Sequence, residues 1–89
     1  MIEKTITIRN RQGLHARPAA LFVQIANKFA SDITISKGMH KVNGKSIMGI
    51  MMLAAEHGST LYLTAAGDDA HEAAEELEGL LLGGLDDYQ

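Results

Sequence analysis

His15, Arg17 and Pro18 lie within four residues of chain, and their types define a chemistry before any fold is known. A neutral imidazole is a competent nucleophile near neutral pH, because its ordinary pKa is ~6.5. Proline is tolerated in a helix only in the first turn, where its missing N–H is no loss. Pro18 therefore sets a helix start at about Ala16, with His15 just ahead of it. Unpaired N–H groups and the positive end of the macrodipole make such a helix end favourable for an anion. The guanidinium of Arg17 adds a fork of donors matched to phosphate oxygens. The run Gly13-Leu14-His15-Ala16-Arg17-Pro18-Ala19-Ala20 reads as a site where a histidine accepts a phosphoryl group and releases it again. The helix end disfavours imidazolium before reaction and stabilises the phosphoryl dianion afterwards, each by roughly 0.3–1 kcal/mol. That is weak enough to allow onward transfer. The plain alternative is a surface histidine that happens to precede a helix, although His is a poorer N-cap than Ser, Thr, Asp or Asn.

A second run, Lys45-Ser46-Ile47-Met48-Gly49, opens another helix. Ser46 is explained as an N-cap, whose replacement by Ala costs about 1 kcal/mol. A phosphoryl group on Ser46 would also sit at a helix N-terminus without melting it. Both roles stay open. From Ile47 to Ala55 the chain is almost continuously apolar. On a helical wheel Ile47, Ile50, Met51 and Ala54 share one stripe, while Met48, Met52 and Ala55 share another roughly a right angle away. A short helix on a sheet buries one stripe, so the second is expected to be exposed as a partner face. Methionine suits such a face, being unbranched and polarizable. The competing possibility is a helix buried on both sides.

The remaining elements position these two runs. Residues 2–9 alternate, with Ile2, Ile6 and Ile8 on one side and Thr5, Thr7 and Arg9 on the other, which predicts a half-buried strand. In the first helix Ala19, Phe22, Val23, Ala26 and Phe29 recur at helical spacing and form its core face. Asp32 to Ser36 predicts a second strand, Lys37-Gly38 a turn, and Met39 to Asn43 a short third strand. Asn43-Gly44 is a turn dipeptide. The Ser46 helix is expected to run from Ile47 to about Ala54. Thr60 to Ala65 forms a fourth strand with Leu61 and Leu63 inward. Asp68 or Asp69 should cap a last helix that buries Ala70, Ala73, Ala74, Leu77, Leu80 and Leu81. Glu72, Glu75, Glu76 and Glu78 should face water, with Gly83-Gly84 as the stop. Leu85 to Gln89 reads as a flexible acidic tail. The order βαββαβα implies an α+β two-layer fold with helices on one face of a sheet. Ferredoxin-like folds begin with the same order, so order alone does not choose the topology.

Composition narrows the function classes. Eighty-nine residues, 46% of them apolar, make a single domain over 1–89 with one core. No apolar run approaches a membrane span, and the amino terminus lacks a secretory apolar region. The chain has no cysteine, which suits the cytoplasm and removes disulfide and thiolate chemistry. A net charge of −3 with two Tyr and two Phe argues against nucleic acid as the ligand. An RNA-binding ferredoxin-like sheet would need stacking aromatics, and Tyr62 alone lies in a predicted strand. His15, His40, His57 and His71 have neither the spacing nor the partners of a metal site. No carboxylate base or nucleotide loop accompanies His15, so a catalyst with its own turnover is not expected.

Together, the two runs and their separation resemble HPr, the histidine-containing phosphocarrier family of the bacterial phosphoenolpyruvate-dependent sugar phosphotransferase system. The likeness extends over essentially the whole chain. It implies the family's open-faced β-sandwich, a four-stranded antiparallel sheet with three helices on one face. It implies that His15 is phosphorylated on Nδ1 by phosphorylated enzyme I and passes the group to IIA components of sugar permeases. Arg17 would stabilise the phosphate, helped by the backbone N–H groups of Ala16 and Arg17. The shared docking surface would map onto Ala20, Gln24, Ile47, Met48, Met51 and Met52, and Ser46 would match the serine modified by HPr kinase/phosphorylase. No cofactor or metal is implied, and a cytoplasmic monomer is expected. The alternative within the resemblance is a regulatory module, nitrogen-type or Crh-like, whose binding depends on phosphorylation.

Overall fold

Period-two alternation becomes a sheet with one dry face. In a computed structural model, residues 1–9, 16–53 and 55–83 are described, Ala16 by its backbone alone. Four strands and three helices follow in the order β1 (Ile2–Thr7), α1 (Ala16–Ala26), β2 (Asp32–Lys37), β3 (His40–Asn43), α2 (Ile47–Met52), β4 (Thr60–Ala66) and α3 (Ala70–Leu81). The strands form one sheet in the order β1-β4-β2-β3, and every pairing is antiparallel. Ile6, Ile33, Ile35, Leu61, Leu63 and Ala65 are buried, while Thr5, Thr7, Thr60 and Ala66 between or beside them are exposed. The helices cover the buried face. This is the open-faced α+β sandwich, and not the ferredoxin-like alternative.

Helical periodicity supplies the second layer. Ala19, Phe22 and Ala26 from α1 and Ile50 from α2 enter the core. All six expected residues of α3, Ala70, Ala73, Ala74, Leu77, Leu80 and Leu81, are buried. Each Leu or Ile removed from water in this way contributes about 1.5–3 kcal/mol.

Several boundaries differ from the sequence expectation for identifiable reasons. Strand β1 ends at Thr7. Ile8 still faces inward because its N–H donates to the Ser59 carbonyl at 2.8 Å, and the Arg9 N–H turns to the Leu81 carbonyl at 3.0 Å. Helix α1 stops at Ala26, so Phe29 packs half-buried from the following turn and not from the helix face. Met39 belongs to the β2–β3 turn and stands in solvent. Glu78 does not face open water; its carboxylate pairs with the Lys4 amine at 3.3 Å, tying α3 to β1. Helix α3 ends at Leu81, just short of Gly83. Gly84 and the tail Leu85 to Gln89 lie outside the described residues.

Asp69 precedes α3 at the N-cap position but makes no side-chain cap hydrogen bond. Its carboxylate instead reaches the corner between α1 and β2. There it accepts from the Ala30 N–H at 2.8 Å, the Ser31 N–H at 2.9 Å and the Ser31 hydroxyl. Gly67 makes this approach feasible. With φ at +146°, a Cβ there would lie 2.8 Å from the Ser31 Cα, closer than carbon atoms can pack.

Candidate functional site

The first turn of α1 holds the described part of the expected phosphate site. Pro18 is half-buried in that turn and Arg17 is exposed beside it. No acidic residue stands in the turn, so none of its own side chains opposes an anion at the helix end. His15, the proposed nucleophile, immediately precedes α1 in sequence and lies outside the described residues. The backbone of Ala16 begins the helix, where the early N–H groups have no intrahelical acceptor. Among the described residues no cluster of His, Cys, Asp or Glu has the makings of a metal site. Nor is any described helix long and apolar enough to cross a membrane.

Ser46 is placed by the turn that follows β3. The Asn43 side chain accepts from the Lys45 N–H at 2.9 Å, an Asx turn of the kind the Asn43-Gly44 pair signals. The Gly44 N–H donates to the Ile33 carbonyl at 2.8 Å. The Lys45 amine then crosses to the Phe29 carbonyl at 2.7 Å, joining the exit of α1 to the entry of α2. No signal within the sequence reveals that last tie, because its partners are far apart in the chain. Ser46 itself is extended, and its Oγ accepts from the Gly49 N–H at 3.1 Å. The expected cap is present. Glycine at 49 costs helix propensity, but it lets α2 lie close to β3, since a Cβ there would stand 3.1 Å from that of Val42.

Helix α2 presents an apolar face to solvent, although its stripes are not those drawn from the wheel. Ile50 is buried, as is Leu53 at the helix end, whereas Ile47 and Met51 of the expected inner stripe are exposed. Ala55, expected outside, is buried; the helix ends at Met52, so Ala55 leaves it and turns inward. Ala54 lies outside the described residues. The exposed set is therefore Ile47, Met48, Met51 and Met52. Helices α1 and α2 pack against one another, with Ala20 half-buried and Gln24 exposed on α1. Neither helix contains a carboxylate.

The fold and these two helix entries define a small domain of the open-faced sandwich class with an exposed apolar helix face. Known proteins agree on the family. The model described as PTS-HPr, the PTS HPr component phosphorylation site, matches residues 2–82. The chain is 54% identical over 77 residues to the HPr-like protein Crh of Halalkalibacterium halodurans, covering 86% of this chain and 92% of that one. It is 48% identical over 80 residues to the phosphocarrier protein HPr of Treponema pallidum, covering 90% and 91%. The solved structure of a phosphocarrier protein HPr from Bacillus anthracis superposes with a TM-score of 0.88 at 50% identity, covering 90% of this chain and 95% of that one. The chain belongs to the HPr family of phosphocarrier proteins.

Proposed function

We propose that this chain carries phosphoryl groups from phosphorylated enzyme I to the IIA components of sugar permeases, with His15 as the acceptor. The supporting observation is the first turn of α1, where Arg17 is exposed and the turn itself carries no carboxylate. Nδ1 of His15 attacks the phosphorus, and the bond from phosphorus to the donor breaks as the N–P bond forms. Arg17 and the N–H groups of Ala16 and Arg17 hold the transferred oxygens. In the second half the N–P bond breaks in favour of the IIA acceptor, and the chain returns unchanged. It acts in the cytoplasm as a monomeric substrate of other proteins, without turnover of its own. The face of Ala20, Gln24, Ile47, Met48, Met51 and Met52 docks donor and acceptor in turn.

The test is a reconstitution with labelled phosphoenolpyruvate, enzyme I and a IIA protein. Label should appear on His15 and chase to IIA, and His15→Ala should take up none. Label that never arrives, or that arrives and cannot be chased, refutes carriage.

The similarity to Crh supports a second reading, in which Ser46 is the control point. HPr kinase/phosphorylase would modify its Oγ, adding negative charge beside the apolar face of α2 and changing which partner binds there. The hydroxyl already caps α2 as an acceptor from Gly49, so an added phosphoryl group would stay at a helix N-terminus. Mass spectrometry that preserves acid-labile phosphohistidine, on protein from growing cells, measures both positions together. Occupancy at Ser46 without His15 favours the regulatory module; the reverse favours carriage.

A further inference from the structure

The chain contains five methionines and no cysteine, and all five are exposed: Met39 at 99%, Met1 at 80%, Met52 at 77%, Met48 at 69% and Met51 at 43%. The buried core contains none of them and is built from Ile, Leu, Ala and Phe. Methionine ordinarily belongs inside. Here three of the five stand on the six residues of α2, where Ile50 is the only buried position.

We propose that α2 is an oxidation-sensitive face: peroxides convert Met48 and Met52 to sulfoxides, which switches docking off until a sulfoxide reductase restores the thioethers. This rests on the docking role proposed above for the same helix. The step balances. A thioether Sδ attacks one peroxide oxygen, the O–O bond breaks, and an S–O bond forms while the second oxygen leaves as water. Sulfur is oxidised by two electrons and the peroxide is reduced by two. In reversal a dithiol supplies two electrons and two protons, the oxygen departs as water, and the dithiol closes to a disulfide.

A sulfoxide turns a flexible apolar side chain into a polar one with a strong acceptor. On a face that must lose water to dock, that acceptor is left without a partner. The fold should survive, because Ile50 and Leu53 anchor the helix and neither reacts with peroxide. With no thiol in the chain, its sulfur chemistry is confined to thioethers, and more than half of them lie on this helix.

The experiment treats the full chain with graded hydrogen peroxide and follows each methionine by peptide mass spectrometry. Circular dichroism reports the fold, and calorimetric titration reports docking to enzyme I. Met48 and Met52 should oxidise ahead of the less exposed Met51, with the fold retained and docking weakened about tenfold or more. Reductase treatment should restore it. Met39 should oxidise as readily, yet Met39→Leu should leave both docking and its sensitivity unchanged. A Met48→Leu/Met51→Leu/Met52→Leu variant, whatever its starting affinity, should show no change with peroxide. The proposal is overturned if docking persists with both sulfoxides in place, if the triple variant loses docking by the same factor, or if oxidation unfolds the chain. If the untreated chain does not dock at all, the docking role itself is refuted, and the switch with it.

Discussion

Asp69 spends its carboxylate across the molecule, on the corner between α1 and β2, and not on the helix it precedes. The Ser31 hydroxyl first, then the Ala30 N–H and the Ser31 N–H, hold its pKa below the ordinary aspartate value. All of them donate to the charged form and so favour it. Because the folded pKa lies below the unfolded one, this tie stabilises the fold at every pH above the ordinary aspartate range. The contribution disappears as pH falls through the folded value. The urea midpoint of the chain should therefore drop more steeply between about pH 5 and about pH 2 than that of Asp69→Asn, the two converging in acid. Parallel curves would show that the carboxylate contributes nothing. Replacing Ser31 by Ala, which removes the hydroxyl donor from the Asp69 carboxylate, should lower the urea midpoint at neutral pH and make its fall in acid shallower.

At the level of elements, α2 is where structure and proposed function meet. Met48→Asp should fold as the parent does, since Met48 is largely exposed, and should weaken docking to enzyme I about tenfold or more. Equal affinity with an intact fold would remove α2 from the docking face. Much of this was legible in the chain. Alternation located the strands, Pro18 located the start of α1, and the spacing of Ala70, Ala73, Ala74, Leu77, Leu80 and Leu81 gave the buried side of α3 without error. Part of what failed did so at ends, although Ile47 and Met51 turned outward within α2 itself. A wheel drawn over Ile47 to Ala55 assumes one continuous helix, but α2 stops at Met52, so Ala55 follows a different path. Phe29 failed likewise, having the right period but lying past the last turn of α1. Asp69 was misread because a local cap is visible in sequence, whereas a partner on a distant corner is not. Of the proposed phosphate site, the start of α1 and an exposed Arg17 are described, and His15 is a matter of sequence alone.

Across the whole molecule, charge is divided by chain position. All eight Lys and Arg residues occur at or before Lys45, while only Glu3 and Asp32 among the eleven acidic residues precede Glu56. Folding turns this into geography: α3 carries Glu72, Glu75 and Glu76 on its exposed side, whereas α1 and α2 carry no carboxylate. A partner with an acidic surface would be repelled by α3 and drawn toward α1, where Arg17 is exposed. Raising ionic strength should thus slow phosphoryl uptake by up to about tenfold, as screening shortens from ~30 Å at low salt to ~8 Å at physiological salt. A rate indifferent to salt would leave steering no part in the encounter. The pairing of β1 with β4, Thr7 opposite Thr60 and Ile2 opposite Ala65, sets a timetable for biosynthesis. The strand that leaves the ribosome first has no neighbour in the finished sheet until the fourth emerges. At roughly 5–20 residues per second that interval lasts on the order of 3–12 s. Throughout it the newborn β1 stays unzipped, and closure of the sheet at that edge waits for β4.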